Sequence, residues 1–239
     1  MIKEQIKSIT EALPTGVRLC AVSKFHSVEN IYEAYEAGQR IFGESHVQEL
    51  KEKVEYFQQQ TTLPTLRDSS PIEWHFIGHL QTNKVKYIAP FVSLIHSMDS
   101  AHLFDEIAKQ GLKCGRDIPC LVQLHVAQEE TKYGFTPTEA VAFVKDIIRE
   151  KRITGCGVSL RGIMAMASHT NDTERIRTDF RTAHDCFTEI KALLTTHTTP
   201  TIASLFSECS MGMSDDYHIA IEEGATLIRI GSTIFGERT

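Results

Sequence analysis

The sequence alternates regularly between short apolar segments and longer amphipathic ones, and this alternation restricts the fold more than any other feature. Eight apolar segments have the length of buried strands, and the segment after most of them carries apolar residues at helical spacing. Strands that alternate with helices along a chain form a parallel sheet covered by helices. The sequence therefore predicts an α/β fold.

The predicted elements follow one another with short connections. The strands lie within residues 18–24, 40–43, 72–77, 92–96, 119–126, 153–166, 202–209 and 226–230. Helices are predicted over residues 28–38, 46–57, 80–88, 101–112, 172–194 and 217–223, with one more that begins at Thr136 and a polar loop at 58–71. A further helix over residues 2–13 precedes the first strand. The spacing Thr136-Pro137-Thr138-Glu139 predicts a capping box with proline in the first turn.

Eight strands that alternate with helices match a closed barrel better than an open sheet. A (β/α)₈ barrel takes about 250 residues as one domain, and this chain has 239. The alternative is a doubly wound open sheet, whose dinucleotide-binding form has a glycine-rich first turn. This chain has Ser23-Lys24-Phe25-His26 there. We expect a single (β/α)₈ TIM barrel domain over residues 1–239, with an extra N-terminal helix.

Composition argues against several classes of function. The net charge is −6 and Lys and Arg form no block, which disfavours binding to nucleic acid or to an anionic membrane. No signal peptide and no apolar run of about 18 residues is present, so we expect a cytoplasmic protein. The six cysteines are scattered without a Cys-x-x-Cys pair. His75 and His79 have the spacing of a helical zinc motif but lack its glutamate. We expect no metal site.

The first predicted strand ends on a lysine. Lys24 follows the apolar residues 19–22 and stands at the turn into the next helix. In barrels of this type the turns that follow the strands form the face where sites are assembled. A lysine partly withdrawn from water has a lowered pKa and a nucleophilic amine. Lys24 is therefore a candidate Schiff-base lysine, the alternative being a rim lysine with a solvated head.

The loops after the last two predicted strands have the composition of a phosphate site. Residues 210–216 supply hydroxyls and a glycine, and Gly231-Ser232-Thr233 follows strand eight. In TIM barrels the loops after strands seven and eight commonly bind phosphate, although such turns also serve as helix caps. Barrel closure would pair strand eight with strand one and bring Gly231 beside Lys24. Arg229, two residues earlier, is either a cation that faces a ring nitrogen or the partner of a helix carboxylate.

Several motifs, in order along nearly the whole chain, resemble those of the pyridoxal phosphate homeostasis protein family. They are Ala21-Val22-Ser23-Lys24, Phe42-Gly43-Glu44, His75-Phe76-Ile77-Gly78, Arg161-Gly162-Ile163-Met164, Ser210 to Asp216, and Arg229-Ile230-Gly231. The resemblance implies a barrel like the N-terminal domain of alanine racemase, with pyridoxal 5′-phosphate held as a Schiff base.

The resemblance also implies roles for individual residues. Lys24 would form the Schiff base, and Arg229 would face the pyridine nitrogen. Ser210, Ser214, Gly231 and Ser232 would surround the phosphate, and Met164 is a further cofactor-binding residue. The chain departs from the family pattern at Ser45, His79 and His125, and Lys132 matches a family lysine after strand five.

These residues favour a carrier over an enzyme. Arginine keeps its proton, so Arg229 would leave the ring nitrogen unprotonated and weaken the cofactor as an electron acceptor. The chain ends at Thr239, and we expect no second domain that supplies an opposing base. We expect a protein that holds and delivers pyridoxal phosphate, with pyridoxal phosphate-dependent apo-enzymes as recipients and no catalytic residues.

The sequence is also compatible with two alternative functions. One is a small single-domain amino-acid racemase that depends on pyridoxal phosphate, with Lys24 as one base. The other is a phosphosugar-binding barrel, which would form no chromophore.

Overall fold

The structure is a computed structural model that describes residues 1–59, 71–128, 133–153 and 155–236. Its strands are β1 (Arg18–Val22), β2 (Ile41–Glu44), β3 (Glu73–Phe76), β4 (Leu94–Met98), β5 (Ile118–Gln123), β6 (Val158–Met164), β7 (Glu208–Ser210) and β8 (Leu227–Ile230). Each strand is parallel to the next, and β8 pairs with β1 to close the barrel. The predicted TIM barrel fold is confirmed.

Helices cover the outside of the barrel. They are α1 (Ile2–Ala12), α2 (Val28–Glu36), α3 (Val47–Gln59), α4 (Val85–Ile88), α5 (Ala101–Cys114), α6 (Pro137–Arg149), α7 (Thr173–His197), α8 (Pro200–Leu205), α9 (Tyr217–Glu222) and α10 (Ser232–Phe235). The extra N-terminal helix is therefore confirmed, as is the capping box, in which Thr136 and Glu139 satisfy each other's backbone N–H groups. In the described part of the chain, no helix combines the length and apolar character needed to cross a membrane.

The segment after α7 differs from its prediction. Residues 202–209 are predicted as strand seven, whereas the structure has helix α8 first and β7 only from Glu208. The hydroxyl of Thr199 accepts from the backbone N–H of Ile202, and Pro200 occupies the first turn, where its missing N–H costs no hydrogen bond. Strand seven exists, but its prediction was wrong for residues 202–207, because a short apolar run suits a strand or a helix equally well.

The predicted helix over residues 80–88 is also shorter than expected. Thr82–Lys84 form a single 3₁₀ turn, and only Val85–Ile88 are α-helical. The polar loop predicted at residues 58–71 lies largely outside the described residues.

The barrel interior is filled with side chains. Successive strand residues point alternately into the barrel and toward the helices. One group of packed, buried apolar residues is contributed by six different strands: Cys20, Ile41, Leu94, Leu121, Met164 and Leu227. A larger core lies between the sheet and the helices and includes the fully buried rings of Phe42, Phe104 and Phe180. Because side chains fill the interior, a ligand site belongs at the end of the barrel.

Closure of the barrel sets which residues meet at its carboxyl end. β1 and β8 pair with Cys20 opposite Arg229 and Ala21 opposite Ile230. This register brings the turn that follows β1 beside the turn that follows β8. The expected pairing of strand eight with strand one is confirmed, and it places Lys24 near Gly231.

Candidate functional site

A cavity of about 350 Å³ opens at the carboxyl end of the barrel, where β1 and β8 end. Five of the residues predicted from the sequence line it together: Lys24, Ser214, Arg229, Gly231 and Ser232. They follow or belong to three different strands, so barrel closure brings an amine, a guanidinium and two hydroxyls into one space. The cavity is the candidate functional site.

A buried polar network holds the chain just before Lys24. The Ser23 hydroxyl donates to Oε1 of Glu44 at 2.5 Å, and the Ser23 carbonyl accepts from Nζ of Lys53 at 2.8 Å. Lys53 also donates to Oε1 of Glu44 at 2.8 Å. All three residues are buried. The network therefore fixes both the side chain and the carbonyl of the residue that precedes the lysine.

A second contact holds the chain just after Lys24. Phe25 has a φ of +67°, in the left-handed region that non-glycine residues rarely adopt. Its backbone N–H donates to Oε1 of Glu49 at 2.5 Å, and the same oxygen accepts from Lys53 at 2.7 Å. A strained conformation persists only where its surroundings impose it. Lys53 thus supports both sides of the Lys24 turn.

Burial shifts the pKa values of groups around the site. It raises the pKa of Glu44 to about 7, against the attraction of Lys53. Burial also raises the pKa of the Asp216 carboxyl and lowers that of the Arg229 guanidinium. The thiol of Cys20, opposite Arg229 on β1, has a pKa raised by burial to about 12. Cys20 is therefore an unreactive thiol at neutral pH.

Arg229 is held rigidly at one side of the cavity. Its side chain is 4% exposed. Nη1 donates to the carbonyl and to the hydroxyl of Ser210, at 2.8 and 2.7 Å, and Nη2 donates to the carbonyl of Ala165 at 3.0 Å. These contacts give Arg229 neutral partners in place of the helix carboxylate considered from the sequence. A guanidinium so fixed presents a permanent donor to a ligand in the cavity.

Hydroxyls and a glycine form a further part of the lining. The Ser232 hydroxyl donates to the Ser214 hydroxyl at 3.1 Å, which joins the loops that follow β7 and β8. A Cβ at Gly231 would lie 3.2 Å from the Cβ and the carbonyl oxygen of Val22. Glycine is thus the residue that lets these two strand ends approach closely.

The structure places two predicted site residues elsewhere. Met164 is 2% exposed and packs in the barrel interior against Cys20 and Leu227. Ser210 is fully buried, and its hydroxyl is hydrogen-bonded to Arg229 and to His96. Neither residue lines the cavity. Met166, two residues after Met164 and on the same side of the chain by strand periodicity, does line it.

Other lining residues were not predicted from the sequence. They are Val22, His26, Ile77, Met166, Met213, Asp215 and Gly236. Period-two alternation could have found two of them, because Val22 precedes Lys24 by two residues and Ile77 follows His75 by two. The ring of His26 stacks on that of Phe235, with centroids 4.9 Å apart. No sequence signal distinguishes that pairing.

The residues at which the chain departs from the family pattern contribute little to this cavity. Ser45 and His79 line a different cavity of about 500 Å³, and His79 contacts Asp99 at 3.1 Å. His125 is not among the residues that line the Lys24 cavity. Lys132 lies outside the described residues. Within residues that the structure describes, no group of three or more His, Cys, Asp or Glu side chains is arranged to hold a metal ion.

The side chains around the cavity allow three kinds of interaction with a ligand. An amine at a strand end binds aldehydes covalently, hydroxyls near a glycine turn accommodate an anion, and a fixed guanidinium donates to an acceptor atom. These groups lie around one cavity.

Comparison with known proteins identifies the family. The sequence profile of the alanine racemase N-terminal domain matches residues 1–239. The pyridoxal phosphate homeostasis protein of Pasteurella multocida is 36% identical over 224 residues, which cover 94% of this chain and 88% of that protein. The chain belongs to the pyridoxal phosphate homeostasis protein family. The family expected from the sequence motifs is confirmed.

Solved structures agree with this assignment. The structure of PipY from Synechococcus elongatus PCC7942 without pyridoxal phosphate has 32% sequence identity and a TM-score of 0.82, and the match covers 99% of this chain and 100% of that chain. PipY with pyridoxal phosphate bound has 31% identity and a TM-score of 0.80, with the same coverage. The fold of this family member therefore matches that of a relative over its whole length.

Proposed function

We propose that this chain binds pyridoxal 5′-phosphate in the cavity as a Schiff base with Lys24, and that it serves intracellular pyridoxal phosphate homeostasis by holding and delivering the cofactor. The observation that carries the proposal is the presence of Lys24, Arg229, Ser214 and Ser232 around one cavity. The names of the relatives and the pyridoxal phosphate in one PipY structure support it.

The lining residues fit the three recognisable parts of the cofactor. When bound, pyridoxal phosphate supplies an aldehyde that reacts reversibly with primary amines. Lys24 provides the amine that binds it. Ser214 and Ser232 provide hydroxyls for the phosphate, beside Gly231 in the lining of the cavity. Arg229 provides a donor for the pyridine nitrogen, and its own position is fixed by Ala165 and Ser210.

The electrostatics of the cavity favour holding over turnover. Catalysis with pyridoxal phosphate relies on the ring as an electron acceptor, usually with a carboxylate beside a protonated ring nitrogen. Arg229 cannot accept that proton or play the part of the carboxylate. The other ionisable side chains that the structure describes in the lining are His26 and Asp215, and the His26 ring is stacked on Phe235. The relatives are named homeostasis proteins, which agrees with holding, and we assign no catalytic residue.

We further propose that the recipients are apo-enzymes that depend on pyridoxal phosphate. A reversible bond to Lys24 at an open barrel end allows exchange with an incoming amine. We place the protein in the cytoplasm, because its six cysteines are free thiols and a reducing compartment maintains them.

The proposal is tested by titration with pyridoxal phosphate. Binding to Lys24 should produce the visible absorption band of a Schiff base, lost in Lys24→Ala and kept in Lys7→Ala, an exposed lysine on α1. The loaded protein should also reactivate an apo-enzyme. A colourless protein at saturating cofactor would refute cofactor binding.

A second measurement separates the carrier from the racemase. The loaded protein is incubated with L-amino acids in deuterated water. The carrier hypothesis predicts α-carbon exchange no faster than with the free cofactor. Faster exchange would show that the chain is an enzyme.

A further inference from the structure

A line of polar side chains runs through the barrel interior below Arg229. Nη1 of Arg229 donates to Oγ of Ser210 at 2.7 Å, and that oxygen lies 3.1 Å from Nδ1 of His96. Nε2 of His96 lies 2.9 Å from Nδ1 of His75. Nε2 of His75 in turn lies 3.9 Å from the Glu73 carboxylate. The line thus joins the cofactor cavity to the opposite end of the barrel.

The two ends of this line fix the direction of its hydrogen bonds. Arginine donates and never accepts, so Ser210 accepts from Arg229. The Ser210 proton then finds its acceptor in Nδ1 of His96, which lies 3.1 Å away. Neutral His96 carries its proton on Nε2 and donates to Nδ1 of His75, which leaves the His75 proton on Nε2. That proton faces the Glu73 carboxylate, whose negative charge attracts it.

The reverse direction is less favourable at each end. A proton on Nδ1 of His96 would make the Ser210 oxygen accept twice, from His96 and Arg229, and would turn the Ser210 proton away from both of these partners. Nε2 of His75 would then face the Glu73 carboxylate with a lone pair. Ser210 and His96 are fully buried, so water cannot repair the mismatch at Ser210. Burial also lowers the pKa of both histidines, which keeps them neutral at pH 7.

We propose that His96 and His75 are positioning residues of the cofactor site, which share the Nε2–H tautomer and orient the Ser210 hydroxyl so that it holds the Arg229 guanidinium. The inference rests on the proposed function, because it concerns how Arg229 meets the pyridine nitrogen. It gives Ser210 a role beneath Arg229 in place of the phosphate contact expected from the sequence.

The tautomers are tested directly in the cofactor-free protein. Nitrogen-15 NMR of histidine-labelled protein distinguishes the two neutral tautomers from each other and from imidazolium. His96→Asn and His75→Asn assign the two signals among the 11 histidines. The proposal predicts that both rings carry their proton on Nε2 at pH 7. A proton on Nδ1 of His96, or an imidazolium at either position, would overturn it.

Cofactor affinity tests the positioning role. His96→Leu removes the acceptor and is expected to weaken pyridoxal phosphate binding roughly tenfold, because a hydrogen bond that orients a charged group is lost. Ser210→Ala should weaken binding similarly, and the double variant should be no worse than either single one. His102→Leu, at an exposed position on α5, is the matched control.

The outcomes separate this inference from the proposed function. Additive losses in the double variant, or unchanged affinity in His96→Leu, would overturn the positioning role while the wild-type chain still binds the cofactor. Failure of the wild-type chain to bind it would refute the proposed function instead. If His96→Leu does not fold, the NMR measurement on the wild-type chain still decides the tautomers.

Discussion

Raising the pH from 5 to 8 is expected to destabilise the protein through one buried carboxyl. Glu44 is fully buried beneath the Lys24 turn, and burial raises its pKa from 4.5 to about 7. Its Oε2 atom has no hydrogen-bond partner among the described residues. The folded state therefore binds more protons than the unfolded state between these two pKa values, so stability falls as the pH rises through that window.

The size of the effect follows from the two pKa values. The linkage between proton binding and folding predicts that the free energy of unfolding falls by roughly 2–3 kcal/mol between pH 5 and pH 8 because of this single group. The buried histidines act in the opposite direction, because their pKa values are lowered and their contribution grows as the pH rises. Only a comparison of the wild-type chain with Glu44→Gln isolates the carboxyl.

Urea unfolding at a series of pH values measures this difference. Trp74 is the only tryptophan and is 5% exposed, so its fluorescence reports the unfolding of the barrel. The free energy of unfolding of the wild-type chain minus that of Glu44→Gln should fall by about 2–3 kcal/mol from pH 5 to pH 8. Glu55→Gln, on the surface of α3, is the control and should leave the pH profile unchanged. A constant difference between wild type and Glu44→Gln would refute the reasoning.

Three further predictions concern the same end of the barrel. Lys53→Met leaves a buried carboxylate unpaired and should lower the free energy of unfolding by about 3–5 kcal/mol at pH 8, measured in urea. Ser214→Ala combined with Ser232→Ala should weaken pyridoxal phosphate binding roughly tenfold and leave pyridoxal binding nearly unchanged, because the hydroxyls proposed to contact the phosphate are lost. Gly231→Ala should lower the free energy of unfolding by about 1–3 kcal/mol, measured in urea, since its Cβ would crowd Val22.

Each of these predictions has its own control. Lys51→Met, on the exposed face of α3, should cost less than about 1 kcal/mol, and an equal loss in both variants would contradict the role of Lys53. An equal loss of affinity for pyridoxal and its phosphate would contradict the assignment of the two hydroxyls. Gly16→Ala does not serve as the control for Gly231→Ala. Its Cβ would meet no atom within 4 Å, but Gly16 has a positive φ, so the added side chain would strain the backbone. Crowding at Gly231 is judged instead by comparing Gly231→Ala with the larger substitution Gly231→Ser. A loss no larger for serine than for alanine would argue against crowding.

The sequence predicts the architecture well because the barrel repeats one simple pattern. Each strand–helix unit has its own periodicity, and the closure of strand eight on strand one follows from the fold class. One exception is the segment before β7, where Thr199 and Pro200 start a helix that apolar content alone does not reveal. The secondary structure of that segment is determined by local helix capping and not by the pattern of apolar residues.

The site is predicted less completely than the fold. Residues at strand ends, such as Lys24 and Gly231, are found because their place in the repeat gives their place in the cavity. Ser210 and Met164 lie one layer of side chains below the cavity. Only the strand register and the hydrogen bonds of the structure show this position. The Glu44–Lys53 pair and the two interior histidines lie far apart in sequence from the groups they support, so no spacing rule reveals them.

The most direct test of the account is to locate the covalent bond. The chain is incubated with pyridoxal phosphate, reduced with borohydride, digested and mapped by mass spectrometry. Lys24 is expected to be the one predominant modified residue, and the modification is expected to be lost in Lys24→Ala. Predominant modification of another lysine, or none on a folded protein at saturating cofactor, would contradict it.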